Sequence, residues 1–418
     1  MKKILVIAVL LWAVPCGAQR LRVAFVGDPQ VDSEEELAYA RKSIYGELRA
    51  RRDLDLVVLL GDLVNDDVRL LAPTRATLDS LPCPWVCVPG NHDRDFYGAK
   101  KGKVVSIDGS VQEGRVRDKA SYSRIIGKPD STFVMGGVRF VLLDDVRTRQ
   151  KADYEGGLRE GQKAWLREVV ASTPPQTLLV LSAHIPFQEF KALDSLEALL
   201  RPHPKLLLVC GHTHTMARHT LRFPGGLAAE EVLAGAACGS WWRGVPDRHG
   251  IPSATMNCGA PRSYYIADFT RSGYRLATKV VGEPATEQAS AWISDSTRLV
   301  LNIYGGSVDG KVRARIPGLG WVDVPRRSEP APEEYAVAAF NKTIPGRKSR
   351  DPRYIPMLVR ESPHVWALNL KNDPRAVRIL QAARLRRIDV RYRDGSMRMR
   401  CRPTLGESVK PPRKEKQK

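Results

Sequence analysis

The sequence predicts an α/β domain followed by a mainly β domain, and three observations carry that prediction. From Leu21 to Cys210, short apolar runs alternate with helical-looking polar stretches, the order an α/β architecture requires. Those runs are apolar throughout rather than alternating, which suits strands buried on both faces. Beyond Cys210 the texture changes to strand-like runs heavily punctuated by Gly and Pro.

Taken in order, residues 1–18 stand apart from both domains. Lys2 and Lys3 precede an apolar run from Ile4 to Val14, and the small residues Cys16, Gly17 and Ala18 follow. This is the pattern of a secretory signal, and it predicts cleavage after Ala18 and an exported protein, periplasmic or secreted. The run is shorter than the roughly 20 apolar residues of a membrane span. Strands are then predicted over residues 21–26, 54–60, 84–88, 140–143, 178–181 and 206–209. Between the first two, Ser33 can cap a helix with Glu36 three residues later, as in a capping box. Leu37, Ala40, Ile44 and Leu48 recur on that helix at spacings of three and four, the mark of a core-facing stripe. A second helix is predicted around Trp165 to Val170. Further strands over 231–236, 264–269 and 274–281 complete a first domain spanning 19–283, the last two joined by an Arg-Ser-Gly turn. Runs over 298–304, 312–316, 320–324, 365–370 and 388–392 make a mainly β domain over 284–406. Residues 407–418 mix Pro with Lys, lack an apolar pattern, and read as a disordered basic tail.

The 418 residues carry a formal net charge of +20. That balance favours anionic partners: phosphorylated substrates, nucleic acid, or an acidic membrane or wall surface. Much of the excess falls late, at Arg384, Arg386, Arg387, Arg391, Arg393, Arg398, Arg400 and Arg402, where a solvated basic face is the competing reading. None of the seven cysteines stands in a paired Cys-x-x-Cys array, which argues against structural zinc. Cys83 and Cys87 sit too far apart on an extended segment to be bridged, leaving Cys238 and Cys258 as the better disulfide candidates.

The functional signal lies at the ends of the predicted strands. The first runs into Asp28 and Gln30, the second into Gly61 and Asp62, and the third into Gly90-Asn91-His92-Asp93. The run over 178–181 leads to His184, and the run over 206–209 to Gly211-His212-Thr213-His214. Four of the eight histidines therefore sit at strand ends, beside Asp28, Asp62 and Asn91. In open α/β sheets the carboxyl edge is where ligands bind. Carboxylates, imidazoles and an amide oxygen without a thiolate suit Mn, Fe, Zn or a related ion. A pair of such ions clamps the attacking and leaving oxygens of a phosphoryl displacement. Glycines before Asp62, Asn91 and His212 let the backbone turn tightly there.

In this order, Asp28-x-Gln30, Gly61-Asp62, Gly90-Asn91-His92-Asp93, His184 and Gly211-His212-Thr213-His214 resemble the five signatures of the calcineurin-like metallophosphoesterases. The resemblance covers about residues 21–215. It implies a four-layer αββα sandwich holding two divalent or trivalent metal ions. It further implies that Asp62 bridges the ions, that Asp28, Gln30 and His214 complete one site, and that Asn91, His184 and His212 complete the other. His92 is implied to face the phosphate or protonate the leaving oxygen, with Asp93 orienting it. The implied reaction is hydrolysis of phosphate mono- or diesters by a metal-bridging hydroxide. No Gly-x-Ser-x-Gly elbow suggests a covalent alternative. Gln30 departs from the family, which usually has histidine there. An amide oxygen is a harder and generally weaker ligand than imidazole, so this half of the centre is the weaker one.

The region Ala237 to Pro261, with Gly239-Ser240-Trp241-Trp242 and Asn257-Cys258-Gly259-Ala260-Pro261, resembles the C-terminal region of a bacterial subgroup of exported members. Trp241 and Trp242 could stack a base or sugar, or pack between the two domains. Arg94, Lys100, Lys101 and Lys103 could contact substrate phosphate or lie in a solvated loop. Asp144 and Asp145 are expected only to cap or to bond a turn. Two other functions remain compatible with the sequence: a non-catalytic envelope protein binding metal or glycan, and a nucleic-acid phosphodiesterase using the basic face.

Overall fold

The structure, a computed structural model, describes residues 20–95, 103–105, 111–113, 119–150, 153–294, 297–331, 333, 360–381 and 387–406. The signal-like segment, the basic tail, Cys16, Lys100 and Lys101 fall outside the described residues.

The first unit contains strands β1 (Leu21–Val26), β2 (Leu56–Leu59), β3 (Trp85–Cys87), β4 (Lys103–Val105), β5 (Val111–Glu113), β6 (Ser131–Met135), β7 (Val138–Leu142), β8 (Val146–Gln150), β9 (Asp153–Gly156), β10 (Leu178–Ser182), β11 (Leu206–Cys210), β12 (Met216–Arg222), β13 (Ala228–Ala234), β14 (Ser263–Thr270) and β15 (Gly273–Val280). One sheet runs β15-β14-β1-β2-β3 and the other β12-β13-β11-β10-β7-β6. Both are mixed. β1, β2 and β3 are parallel, as are β7, β10, β11 and β13, while antiparallel strands flank each set. The sheets face one another through Val23, Phe25, Val58, Phe140, Val180, Leu207 and Val232, all essentially buried. Helices cover the outer faces: α1 (Glu34–Lys42), α2 (Ile44–Ala50), α3 (Leu71–Leu78) and α4 (Ala120–Ile125) on the first sheet, and α5 (Glu160–Ser172) and α6 (Leu193–Leu200) on the second. The result is the four-layer αββα sandwich. A sheet apolar on both sides must be covered on both sides, which explains the unbroken apolar runs.

Ser33 does cap α1, its hydroxyl accepting the Glu36 N–H at 3.2 Å. Glu36 returns its bond to the amide of Asp32 rather than Ser33 (2.9 Å). The helical stretch breaks at Ser43, whose hydroxyl donates back to the Tyr39 carbonyl at 2.7 Å. Such back-bonding competes with the helical ladder. The stripe nevertheless crosses the break, because Leu37, Ala40, Ile44 and Leu48 are all fully buried.

The second unit holds β16 (Ala289–Ser294), β17 (Arg298–Ile303), β18 (Lys311–Ile316), β19 (Gly320–Val324), β20 (Arg326–Pro330), β21 (Glu361–Asn369), β22 (Val390–Arg393), β23 (Arg398–Cys401) and β24 (Leu405–Gly406). These form one sheet ordered β20-β21-β17-β16-β24 and another ordered β19-β18-β22-β23. One buried apolar cluster runs unbroken from Phe25 and Phe269 to Leu301, Trp366 and Tyr392, so the two units share a core. Among the described residues no helix is long and apolar enough to cross a membrane. Cys238 and Cys258 do not form a disulfide. Both are buried and outside any disulfide, as are Cys87, Cys210 and Cys401. The sequence spacing allowed the bridge, but the fold assigns the two cysteines to separate packing positions.

The seam is fastened by Arg218 of β12, whose side chain is fully buried. Its guanidinium meets Glu230 at 2.8 Å, Asp394, the Gly305 carbonyl at 3.0 Å and Ser396 at 2.6 Å. Removing one partner of a buried ion pair leaves the other charge uncompensated. Arg218→Ala is therefore expected to cost about 3–5 kcal/mol, read as a lowered midpoint in urea unfolding.

Candidate metal centre

The strand registers bring the signature residues level. Val26, Leu59 and Cys87 are aligned across β1, β2 and β3, so Asp28, Asp62 and Asn91 leave the sheet at one edge. Ser182 and Val209 are aligned across β10 and β11, which puts His184 and His212 at the corresponding edge of the second sheet. Ligand atoms of Asp62, His184 and His212 lie within 4.8 Å of one another. The Asn91 amide oxygen is 2.9 Å from His184 Nε2, and His212 Nδ1 is 3.2 Å from the same atom. His184 Nδ1 donates to the Leu60 carbonyl at 2.7 Å, which turns Nε2 toward the cluster. This is the outer bond that metal-ligating histidines make.

The other half lies beside it. His214 Nδ1 donates to the Gly239 carbonyl at 2.8 Å, and its Nε2 is 3.9 Å from an Asp28 oxygen. Both Asp28 oxygens also accept the His212 backbone N–H, at 3.1 and 3.0 Å. Gln30 donates its amide N–H to Asn65 at 3.2 Å, while its oxygen lies 4.0 Å from the Cys238 sulfur. The same sulfur is 3.9 Å from His214 Nδ1. A neutral amide and a protonated thiol thus occupy the side where the family usually places an imidazole. Burial raises the Cys238 thiol well above its ordinary value.

Electrostatics mark the cluster as cation-seeking. Burial and the neighbouring Asp62 push the Asp28 carboxyl well above the carboxylate range. Burial alone would raise Asp62 too, but the facing His184 and His92 hold it below that range. Burial disfavours charge on His184, yet Asp62, Asp28 and Asp145 outweigh it and lift the imidazole to about 10. The carboxylates thus draw onto His184 a proton that a metal would replace. Burial and the adjacent His184 lower His212 to about 3, and burial lowers His214 to about 4, the neutral state coordination requires. The donor set fits two cations sharing Asp62.

Backbone strain concentrates here. The non-glycine residues with positive φ among the described residues are Asp28, Gln30, Asp62, Asp66, His212, His214, Trp241 and Trp242, with values from +38° to +72°. Each left-handed residue costs roughly 1 kcal/mol or more, and such strain collects at functional sites.

The structure corrects one role. The Asp93 oxygens accept the backbone N–H groups of Val64 (3.1 Å) and Gly90 (2.9 Å), so Asp93 shapes the loop rather than orienting His92. His92 is held instead by Asp66, with Nδ1 2.8 Å from its carboxylate oxygen, while the His92 N–H donates to Asp62 at 2.8 Å. Asp66 lies outside the signatures and carries no spacing signal. Asp145 accepts the amides of His184 and Ile185, each at 2.8 Å, a turn role that positions a ligand. Asn257 clamps the last signature: its N–H bonds the His214 carbonyl at 2.8 Å and its side chain bonds that of Thr213 at 3.0 Å. Trp241 stacks on His214 with ring centres 4.3 Å apart, and Arg243 lies over the same indole. Trp242 is buried under α1 against Tyr39, its indole N–H on the Pro29 carbonyl at 3.0 Å. Arg94 is buried, bonded to the Asn91 carbonyl at 2.7 Å and to Thr148 at 3.0 Å.

A family model described as calcineurin-like phosphoesterase matches residues 21–216, and a second, the C terminal of calcineurin-like phosphoesterase, matches residues 231–384. The chain belongs to the calcineurin-like phosphoesterase family. These are metal-dependent phosphoric ester hydrolases with a dinuclear centre. The second match begins inside β13, so the family's C-terminal region includes β14, which pairs with β1, and β15, which pairs with β14.

No curated protein shows significant similarity to the chain. Solved structures similar to it include a purple acid phosphatase from yellow lupin (Lupinus luteus) seeds, at 14% identity and TM-score 0.40, covering 69% of this chain and 52% of that one. A 5'-nucleotidase from Candida albicans is similar at 10% identity and TM-score 0.32, covering 62% and 51%. A metallophosphoesterase from Sphaerobacter thermophilus is similar at 14% identity and TM-score 0.26, covering 62% and 87%. The chain spans about half the length of the first two.

Gly90 packs against Asp62 with no room for a side chain. A Cβ there would stand 2.1 Å from an Asp62 oxygen and 2.3 Å from the Asp62 nitrogen, both rigidly held. Gly90→Ala is expected to displace the shared carboxylate and lower bound metal after desalting, as read by elemental analysis.

Proposed function

We propose that this protein hydrolyses phosphate mono- or diesters with two metal ions held by Asp62 between an Asn91, His184, His212 half and an Asp28, Gln30, His214 half. The observation that carries the reading is the convergence of Asp62, His184 and His212 at the joined edges of two sheets. When bound, such ions lower the pKa of water and neutralise charge on the phosphoryl oxygens. The chain's own residues supply the rest. Asp62, fixed by the His92 amide, keeps one carboxylate between the two halves. His92 is part-exposed, and its Nδ1 is committed to Asp66. Its Nε2 is therefore the atom able to give a proton to the leaving ester oxygen. Gln30 makes the Asp28 half the weaker ligand set, so unequal occupancy of the two positions belongs to this proposal. The signal-like start of the chain supports an exported enzyme, which N-terminal sequencing of the mature protein would test.

Asp62→Asn should keep its circular dichroism but lose metal, and turnover of aryl phosphates should fall by roughly 100-fold or more. A well-folded Asp62→Asn protein with near-normal turnover would overturn the assignment. Asp66→Ala should leave metal content unchanged and lower kcat by roughly 10- to 100-fold through loss of His92 alignment. The effect should be largest on esters with poor leaving groups, a comparison made with paired aryl and alkyl phosphates.

A further inference from the structure

The sheet β19-β18-β22-β23 buries Val312, Ala314, Ile316, Val390 and Tyr392 on one face. Its other face carries exposed Lys311, Arg313, Arg315, Arg391, Arg393, Arg398, Arg400 and Arg402. The registers place Lys311, Arg393 and Arg398 in one row across three strands, and Arg313, Arg391 and Arg400 in the next. That makes four directly opposed like-charge pairs. Each such pair destabilises a sheet. A face that needed only solvation would mix the signs, yet the carboxylates on it are Asp323, paired with Arg313 at 3.3 Å, and Asp389, near Arg402 at 3.3 Å and Arg315 at 4.0 Å. Among the described residues no carboxylate pairs with Lys311, Arg393, Arg398 or Arg400. Uncompensated repulsion retained on a packed sheet is relieved when a polyanion covers it.

We infer that this face docks the protein on an anionic phospholipid bilayer. Seven of its eight cations are arginine, whose planar fork grips phosphate oxygens in pairs. The cations spread in two dimensions over an open face, matching headgroups laid out in two dimensions rather than a single backbone track. Single-stranded nucleic acid is served by aromatic platforms for its bases. Among the described residues the exposed face offers one aromatic side chain, Trp321, and the Arg391 guanidinium already lies 4.0 Å over its ring. The active-site ligands lie on other elements, so docking and hydrolysis separate experimentally.

The test is co-sedimentation of the full chain with vesicles of equal parts phosphatidylglycerol and phosphatidylcholine, against phosphatidylcholine alone. Wild type should pellet with the anionic vesicles alone, and rising NaCl should release it. The triple variant Arg393→Gln/Arg398→Gln/Arg400→Gln should partition roughly 100-fold more weakly, with aryl phosphate turnover unchanged. Should the triple variant not fold, the single Arg398→Gln should still lower partitioning about fivefold. Equal partitioning of variant and wild type, or no binding of wild type to anionic vesicles, overturns the inference. So does preferential binding of a single-stranded oligonucleotide over the vesicles, which would assign the face to nucleic acid.

Discussion

The close approach of strand ends from two sheets is the constraint on which the centre depends. At Gly27 a Cβ would stand 2.1 Å from the Gly235 carbonyl oxygen, and at Gly211 one would stand 2.5 Å from an Asp28 oxygen. The Gly27 and Gly235 backbones can meet because neither carries a side chain at the contact. The meeting brings candidate ligands that follow β1 and β2 within reach of those that follow β10 and β11. It also forces the turns that follow into left-handed conformations, which Asp and His tolerate better than branched residues do. The strain and the candidate metal ligands share residues because one geometric demand produces both.

Much of this was legible in the sequence. Apolar runs ending in Asp28, Asp62, Asn91, His184 and His212 placed these side chains at the carboxyl ends of strands, since each run needed two buried faces and each glycine marked a turn. What escaped was set by side-chain direction rather than spacing. Asp93 sits next to His92 in the chain, but its carboxylate points back to the Gly90 amide, while Asp66 arrives from another turn. Cys238 and Cys258 looked like partners because only their separation could be read. Asn257 and Trp241 stood in a recognised segment, but their hold on the Gly-His-Thr-His loop depends on a tertiary crossing.

The two halves of the centre differ in their surroundings as well as their ligands. The His184 half is braced by Asp145 and by the Leu60 carbonyl, so its imidazole has one orientation. The Gln30 half is lined by an amide, a neutral thiol and a tryptophan stacked on His214. A cleft of about 1040 Å³ at the seam, beside Arg262, Glu283 and Tyr304, contains none of these residues. The centre is identified by its donor atoms and their charge balance.

Gly259 gives the seam a further meaning. The residue lies two positions after Asn257, and a Cβ there would stand 2.7 Å from Ala331 of the second unit. One short loop thus touches the histidine-bearing turn at one end and the β domain at the other. The two units are therefore poorly suited to exchange as separate cassettes. A lineage that swapped its β domain would also have had to preserve the surface that Gly259 rests on, so the pair is expected to have diversified as one inherited block.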